Sequence, residues 1–306
     1  MSNSARLRDA SVAAKPWRNR LSISTVSLWN SPMEEQLDII SASGCGGIAV
    51  FQFSVPPGWG AGQVREAMDR HQLVPTFCVS YPHSLMDSWT FDRGAGRMVT
   101  FKGATANSVQ DIKDALRWFA PVTPAAMIIM PGAQGARCAS EAWDFARSGF
   151  IEIADFAGDL GITVALEPVH PRFATDYSII STIDQALQMI DEIGRSNVGV
   201  LIETFQVAGV SDLFGQIARA AGRIVGVQLS DGRPFPRSLA DRLPPGEGSI
   251  DIPAIIRAIE ATGYTGWYDV EIASIGFPDS VYNRSPEDIA FACVMGSVQA
   301  FKAAMV

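Results

Sequence analysis

The chain has 306 residues, 47% of them hydrophobic and 18% charged, which is enough for one large core. With 32 acidic against 24 basic residues the net charge is −8 and the pI about 4.9, a poor match for nucleic acid or an anionic membrane surface. No apolar run approaches the roughly 18 residues of a membrane span, and Cys45, Cys78, Cys138 and Cys293 lie far apart, so they read as reduced thiols of a cytoplasmic protein.

Residues 1–20 carry five basic residues and one acid without an apolar stretch, which argues against a secretory signal. They read as a flexible basic arm or one that docks on a neighbouring subunit, with a transit peptide as the alternative. From residue 21 to 306 one pattern recurs: a short apolar, β-branched run, a loop, then a segment of helical period. The strand runs are 21–28, 46–54, 73–80, 125–132, 162–169, 198–205, 224–231 and 267–274. Their continuous apolar character is that of strands buried on both faces. The intervening segments, such as "TIDQALQMIDEIG" and "DIPAIIRAIEATG", start at Thr or Asp and stop at Gly, as helices do. Eight such units without a linker predict a single (β/α)8 barrel, with an open doubly wound sheet as the alternative. Neither GxGxxG after the first strand nor GxxxxGK[ST] is present, so nucleotide-binding versions lack support. Two long connections, 81–107 and 232–249, leave C-terminal strand ends, the rim where barrels keep their active sites.

The run "GITVALEPVHP" ends an apolar strand on Glu167, and a lone buried carboxylate is costly without a partner. The next three strands end comparably on Glu203, Gln228 and Glu271, spaced by 36, 25 and 43 residues. Barrel closure brings the four to one rim. Three carboxylates and an amide oxygen there call for a cation, and hard oxygen donors suit one Mn²⁺ or Mg²⁺. Singly, each reads as well as a structural group: a glutamate bound by arginine or loop amides, a core glutamine bound to backbone. His170 follows Glu167 by three residues and is read either as a loop histidine or as a substrate or proton-transfer group; His83, in the third loop, is open to the same two readings. Asp231, Arg233 and Arg237 leave the seventh strand and could hold a hydroxyl-rich or anionic substrate, or pair with one another's loops. Trp29, Phe53, Trp89 and Trp267 are candidates for the pocket wall or for packing.

"GITVALEPVHP", "VGVLIETFQV", "VGVQLSDGR" with "LPPGEGSIDI", and "GYTGWYDVEIAS" resemble the xylose isomerase-like TIM barrels, within them the sugar phosphate isomerase/epimerase group, over about residues 21–300. The resemblance implies one divalent metal held by Glu167, Glu203, Gln228 and Glu271, with Glu167 and Glu271 also the acid/base pair. Glu203 stands where Asp is usual and Gln228 where His is usual, although hydroxypyruvate isomerases of that superfamily also carry Gln there. Gln206 stands where a substrate-contacting His is common. The resemblance implies a metal-dependent isomerase or epimerase of a carbohydrate-like small molecule, by proton abstraction beside a polarised carbonyl, with homo-oligomers common in the group. Two alternatives stay open: a lyase on the same scaffold, using His170 or His83 to expel a leaving group, and a non-catalytic subunit without metal. A DNA-repair endonuclease of related fold is excluded, because three histidines cannot supply its three-zinc ligand set.

Overall fold

The computed structural model describes residues 2–86, 88–92, 97–101 and 108–306. Eight parallel strands close into a barrel in sequential order: β1 (Leu21–Ser24), β2 (Gly47–Phe51), β3 (Val74–Ser84), β4 (Ala126–Met130), β5 (Thr163–Leu166), β6 (Val198–Glu203), β7 (Ile224–Leu229) and β8 (Tyr268–Val270). The molecule is a single (β/α)8 barrel. Most strands stop short of the apolar runs that predict them, because each run continues into the rim. The first run turns into a 3-10 segment at Thr25–Leu28. The fifth leaves the sheet at Glu167, ahead of Pro168, which has no N–H for a ladder.

The helices are α1 (Asn3–Ala14), α2 (Met33–Ala42), α3 (Ala61–Arg70), α4 (Ser108–Phe119), α5 (Ala139–Asp159), α6 (Ala174–Tyr177), α7 (Ile183–Ile193), α8 (Thr204–Val207), α9 (Leu213–Arg219), α10 (Ile252–Ala261) and α11 (Pro286–Ala304). Thr182, Asp251 and Ser285 accept backbone N–H groups at the starts of α7, α10 and α11, as the sequence signals predict. Among the described residues no helix is long and apolar enough to cross a membrane.

Residues 3–14, expected as a flexible arm, form α1 instead. Ala10 and Ala14 are fully buried, Arg6 pairs with Asp288 of α11 at 2.6 Å, and Trp17 stacks on Phe301 at 4.4 Å. Two alanines on one helical face allow close approach to α11 without the large apolar stripe that normally advertises a packed helix.

The barrel interior has an apolar half and a polar half. From β2 to β6 it is filled by Ala49, Phe77, Val79, Ile128, Ala165 and Leu201. Across β7, β8 and β1 it holds Gln228, Asp269 and Ser22, which share register positions on neighbouring strands. Gln228 Nε2 donates to Asp269 Oδ2 at 3.2 Å, the Ser22 hydroxyl donates to Asp269 Oδ1 at 2.5 Å, and Ser22 also meets Thr76 at 3.2 Å. Burial pushes the Asp269 carboxyl up to about 8.

Two excursions rise from the C-terminal rim. The one after β3 contains an antiparallel hairpin, Ser88–Asp92 with Arg97–Phe101; the side chain of Trp89 lies outside the described residues. The one after β7 returns on itself, with Asp231–Gly232 pairing antiparallel to Arg242–Leu243.

Candidate active site

Glu167 and Glu271 lie just beyond β5 and β8 and line a common cavity of about 160 Å³ at the C-terminal rim. Both are nearly closed off, at 7% and 8% exposure. Burial, reinforced by the nearby Glu271 and opposed by Arg242, pushes the Glu167 carboxyl up to about 8. Burial therefore favours the neutral form of the Glu167 carboxyl. Among the described residues its side chain has one hydrogen-bond contact, a long one from Gln206 Nε2 at 3.4 Å. His83 also lines the cavity, and burial pushes its imidazole down to about 4. Trp29 and Phe53 form an edge-to-face pair in the wall. Trp267 packs instead with the apolar filling of the barrel.

The positive charge facing these carboxylates is Arg242, 5% exposed, carried in by the returning arm of the β7 excursion. Its backbone N–H donates to Ala273 at 3.0 Å, its Nε donates to the Leu239 carbonyl at 3.1 Å, and its guanidinium lies 5.4 Å above the Phe205 ring. Nη1 stands 3.2 Å from Glu271 Oε2, an ion pair. Burial works against the charged guanidinium, but Glu271, Glu203 and Glu167 together hold its pKa above the ordinary arginine value.

Glu203, fully buried, is turned away from this cavity. Its Oε1 accepts the Phe205 N–H at 3.1 Å and the Ser230 hydroxyl, and its Oε2 accepts the Gln206 N–H at 2.7 Å. It thereby caps α8. Gln228 donates through Nε2 to Asp269, while its Oε1 is buried without a partner among the described residues. Among the described residues no three His, Cys, Asp or Glu side chains converge as a metal site. As arranged, Glu203 caps α8 and Arg242 faces Glu167 and Glu271, while the unpartnered Gln228 Oε1 leaves an oxygen donor open to a cation at this rim.

The remaining expected site residues separate. Gln206 lines the cavity and joins Glu167 to the His170 backbone N–H, which it accepts at 2.8 Å. The His170 ring lines a second pocket of about 480 Å³ instead; its Nδ1 accepts the Arg172 N–H at 3.1 Å, and burial holds its pKa low. Asp231, 1% exposed, is positioned to organise the loop rather than to meet a substrate. It accepts N–H groups of Gly232 at 2.8 Å, Gly246 at 2.9 Å and Ile250 at 3.0 Å. A Cβ on Gly248 would come within 2.2 Å of Asp231 Oδ1, so the chain approaches this carboxylate as closely as only glycine allows. Arg233 is held by Asp241 at 3.3 Å and Asp279 at 2.7 Å, and Arg237 shares both partners.

The sequence profile described as xylose isomerase-like TIM barrel matches residues 37–290. The chain belongs to that family. Within it, the chain is similar to an inosose isomerase of Bacillus velezensis, 29% identical over 126 residues, covering 40% of this chain and 43% of that protein. It is also similar to a D-psicose 3-epimerase of Agrobacterium fabrum, 32% identical over 128 residues and covering 41% of each. The matched stretch thus spans about two fifths of these curated relatives. A solved structure described as IOLI protein with a binding zinc atom superposes with a TM-score of 0.75 at 19% identity, covering 92% of this chain and 97% of that one.

Two residues at and beneath the rim, Arg242 and Asp269, escaped sequence reading. Arg242 sits in "LADRLPPGEG", where no motif marks it and only the tertiary return of the loop brings it inward. Asp269 had a signal: it precedes Glu271 by two, so strand alternation sends both inward.

Proposed function

We propose that this protein is an isomerase or epimerase of a small sugar or keto-polyol, with Glu167 and Glu271 as its acid/base pair. The observation that carries this is two nearly buried carboxyl groups lining one cavity in unlike settings, Glu271 3.2 Å from the Arg242 guanidinium and Glu167 without an ion pair among the described residues. The Glu271 carboxylate removes the proton beside a substrate carbonyl, leaving an enediolate. The neutral Glu167 carboxyl delivers its own proton to the acceptor carbon, and solvent exchange resets the pair. No other bond is broken, so substrate and product have equal mass. Arg242 is the only Lys or Arg in the described cavity lining, placed to stabilise the developing oxyanion. The names of the relatives, an inosose isomerase and a D-psicose 3-epimerase, support this substrate class.

A lyase on the same scaffold would need an acid for the leaving group; of His83 and His170, His83 lines this cavity and His170 lines the other pocket. The metal-dependent version, with one Mn²⁺ or Mg²⁺ on Glu167, Glu203, Gln228 and Glu271, draws support from the unpartnered Gln228 Oε1 and from the zinc described in the IOLI structure. Among the described residues Glu203 Oε2 accepts a single N–H and so would keep a lone pair for that cation.

The test is incubation of keto-sugars, inososes and keto-polyols in D₂O with NMR detection of deuterium beside the carbonyl. Exchange at constant carbon skeleton, absent in Glu167→Gln and Glu271→Gln, is the expected result. Loss of water from the substrate would move the assignment to a lyase.

A further inference from the structure

Beneath the rim a row of fully buried polar side chains runs from Thr76 of β3 through Ser22 of β1 and Asp269 of β8 to Gln228 of β7. Burying such a row carries a desolvation penalty that the apolar filling elsewhere in the barrel avoids. The row also has a direction. Ser22 and Thr76 share a hydroxyl contact at 3.2 Å, and the Ser22 hydroxyl donates to Asp269 Oδ1 at 2.5 Å. That short line holds a proton from either partner, so Oδ2 is an acceptor whether or not the carboxyl carries one. Oδ2 accepts from Gln228 Nε2 at 3.2 Å. An amide has oxygen on one prong and nitrogen on the other, in nearly the same shape, and its partners decide which end faces which way. With Nε2 held on Asp269, Oε1 is turned away from it, buried and without a partner among the described residues. Gln228 is the register partner of Glu203 on β6 as well as of Asp269 on β8, so the free oxygen belongs to the barrel layer that also bears Glu203.

Resting on the metal-dependent version of the reading above, we infer that Asp269 is a positioning residue for a rim cation: it sets the polarity of the Gln228 amide so that the oxygen, and not the nitrogen, is offered to the metal. A metal-ligating histidine donates its second ring N–H to a carboxylate or carbonyl, which fixes its tautomer and orientation. Gln228, standing where histidine is usual in the family, reproduces both halves of that arrangement, with Nε2–H on Asp269 and Oε1 left for the cation. Turned the other way, the amide would present N–H donors to a hard cation that takes oxygen ligands. Asp269 itself touches neither substrate nor metal in this role, and acts through Gln228.

Calorimetric addition of Mn²⁺ to chelator-treated protein tests this without any substrate. Wild type is expected to bind about one equivalent, and Asp269→Leu, which keeps the side-chain size and removes both acceptors, to bind about 10–100-fold more weakly. The same substitution in a Gln228→Glu background separates positioning from a general structural effect. A carboxylate carries oxygen on both prongs and has no polarity to set, so there Asp269→Leu is expected to weaken binding by less than about threefold. An equal loss in both backgrounds, or none in the wild-type background, overturns the inference and leaves the metal-dependent reading intact. A wild type that takes up no Mn²⁺ overturns that reading and the inference with it. If Asp269→Leu fails to fold, the amide is followed in wild type by NMR. The Gln228 side-chain NH₂ pair, identified by its absence from Gln228→Glu, is expected to stay protected from hydrogen exchange when Mg²⁺ is added. Loss of that protection on binding shows the nitrogen leaving Asp269, and overturns the inference.

Discussion

Glu167 and Glu203 stand on adjacent strands at the same rim, both buried, and the fold treats them oppositely. Glu203 ends its strand directly against the first turn of α8, and both its oxygens accept backbone N–H groups. Glu167 is followed by proline, which can donate nothing, and keeps one long contact to Gln206. A strand-end carboxylate is thus a structural cap or a reactive group according to what the next two residues donate. Its position in the barrel does not decide.

The comparison is broken most directly by exchanging charge for amide. Glu167→Gln and Glu271→Gln are each expected to lower turnover by about 10³-fold with an unchanged circular dichroism spectrum. Glu203→Gln losing as much activity at an unchanged melting temperature would place it among the reactive groups instead. The pH profile sharpens the contrast. Glu167 acts as the acid, so kcat/KM is expected to fall about tenfold per pH unit above about 8 as its proton is lost, and Glu203→Gln should leave that limb where it is.

Stability carries the other side. Glu203→Ala strips the acceptor from three donors and is expected to cost about 3 kcal/mol by denaturant unfolding, with exchange activity per folded molecule less affected than in Glu167→Gln. A separate pH effect concerns Asp269. Its carboxyl holds a proton up to about 8 in the folded chain against about 3.9 unfolded. The folded state binds the extra proton, so this group's contribution falls as pH rises through that window. Asp269→Asn, which keeps an acceptor for Ser22, is expected to flatten the decline in melting temperature between those values.

Much of the fold was legible because a strand buried on both faces leaves a continuous apolar run, and eight of them alternate with capped helices. The rim was legible as a location: Glu167, Glu271, Gln206 and His83 do line one cavity. What the sequence withheld were the partners. Whether Glu203 faces a cation or an amide depends on how tightly α8 starts, and nothing in "ETFQV" announces that turn. His170 follows Glu167 by three, but the turn through Pro168 sends its ring to the neighbouring pocket. Arg242 lies 39 residues beyond Glu203 in the sequence, and only the loop folded over Asp231 returns it to the mouth. α1 hid for a different reason: alanine packing gives close contact without a hydrophobic stripe.

The excursion after β7 is hooked at its base by Asp231 and at its return by the Arg242 backbone, while its tip at Phe235 is 81% exposed between two prolines. An anchored loop with a free crest is a natural place for grafting. A peptide epitope or a fluorophore-bearing residue introduced at 234–236 would ride outside both anchors, giving a handle for immobilising or labelling the protein with the catalytic mouth undisturbed.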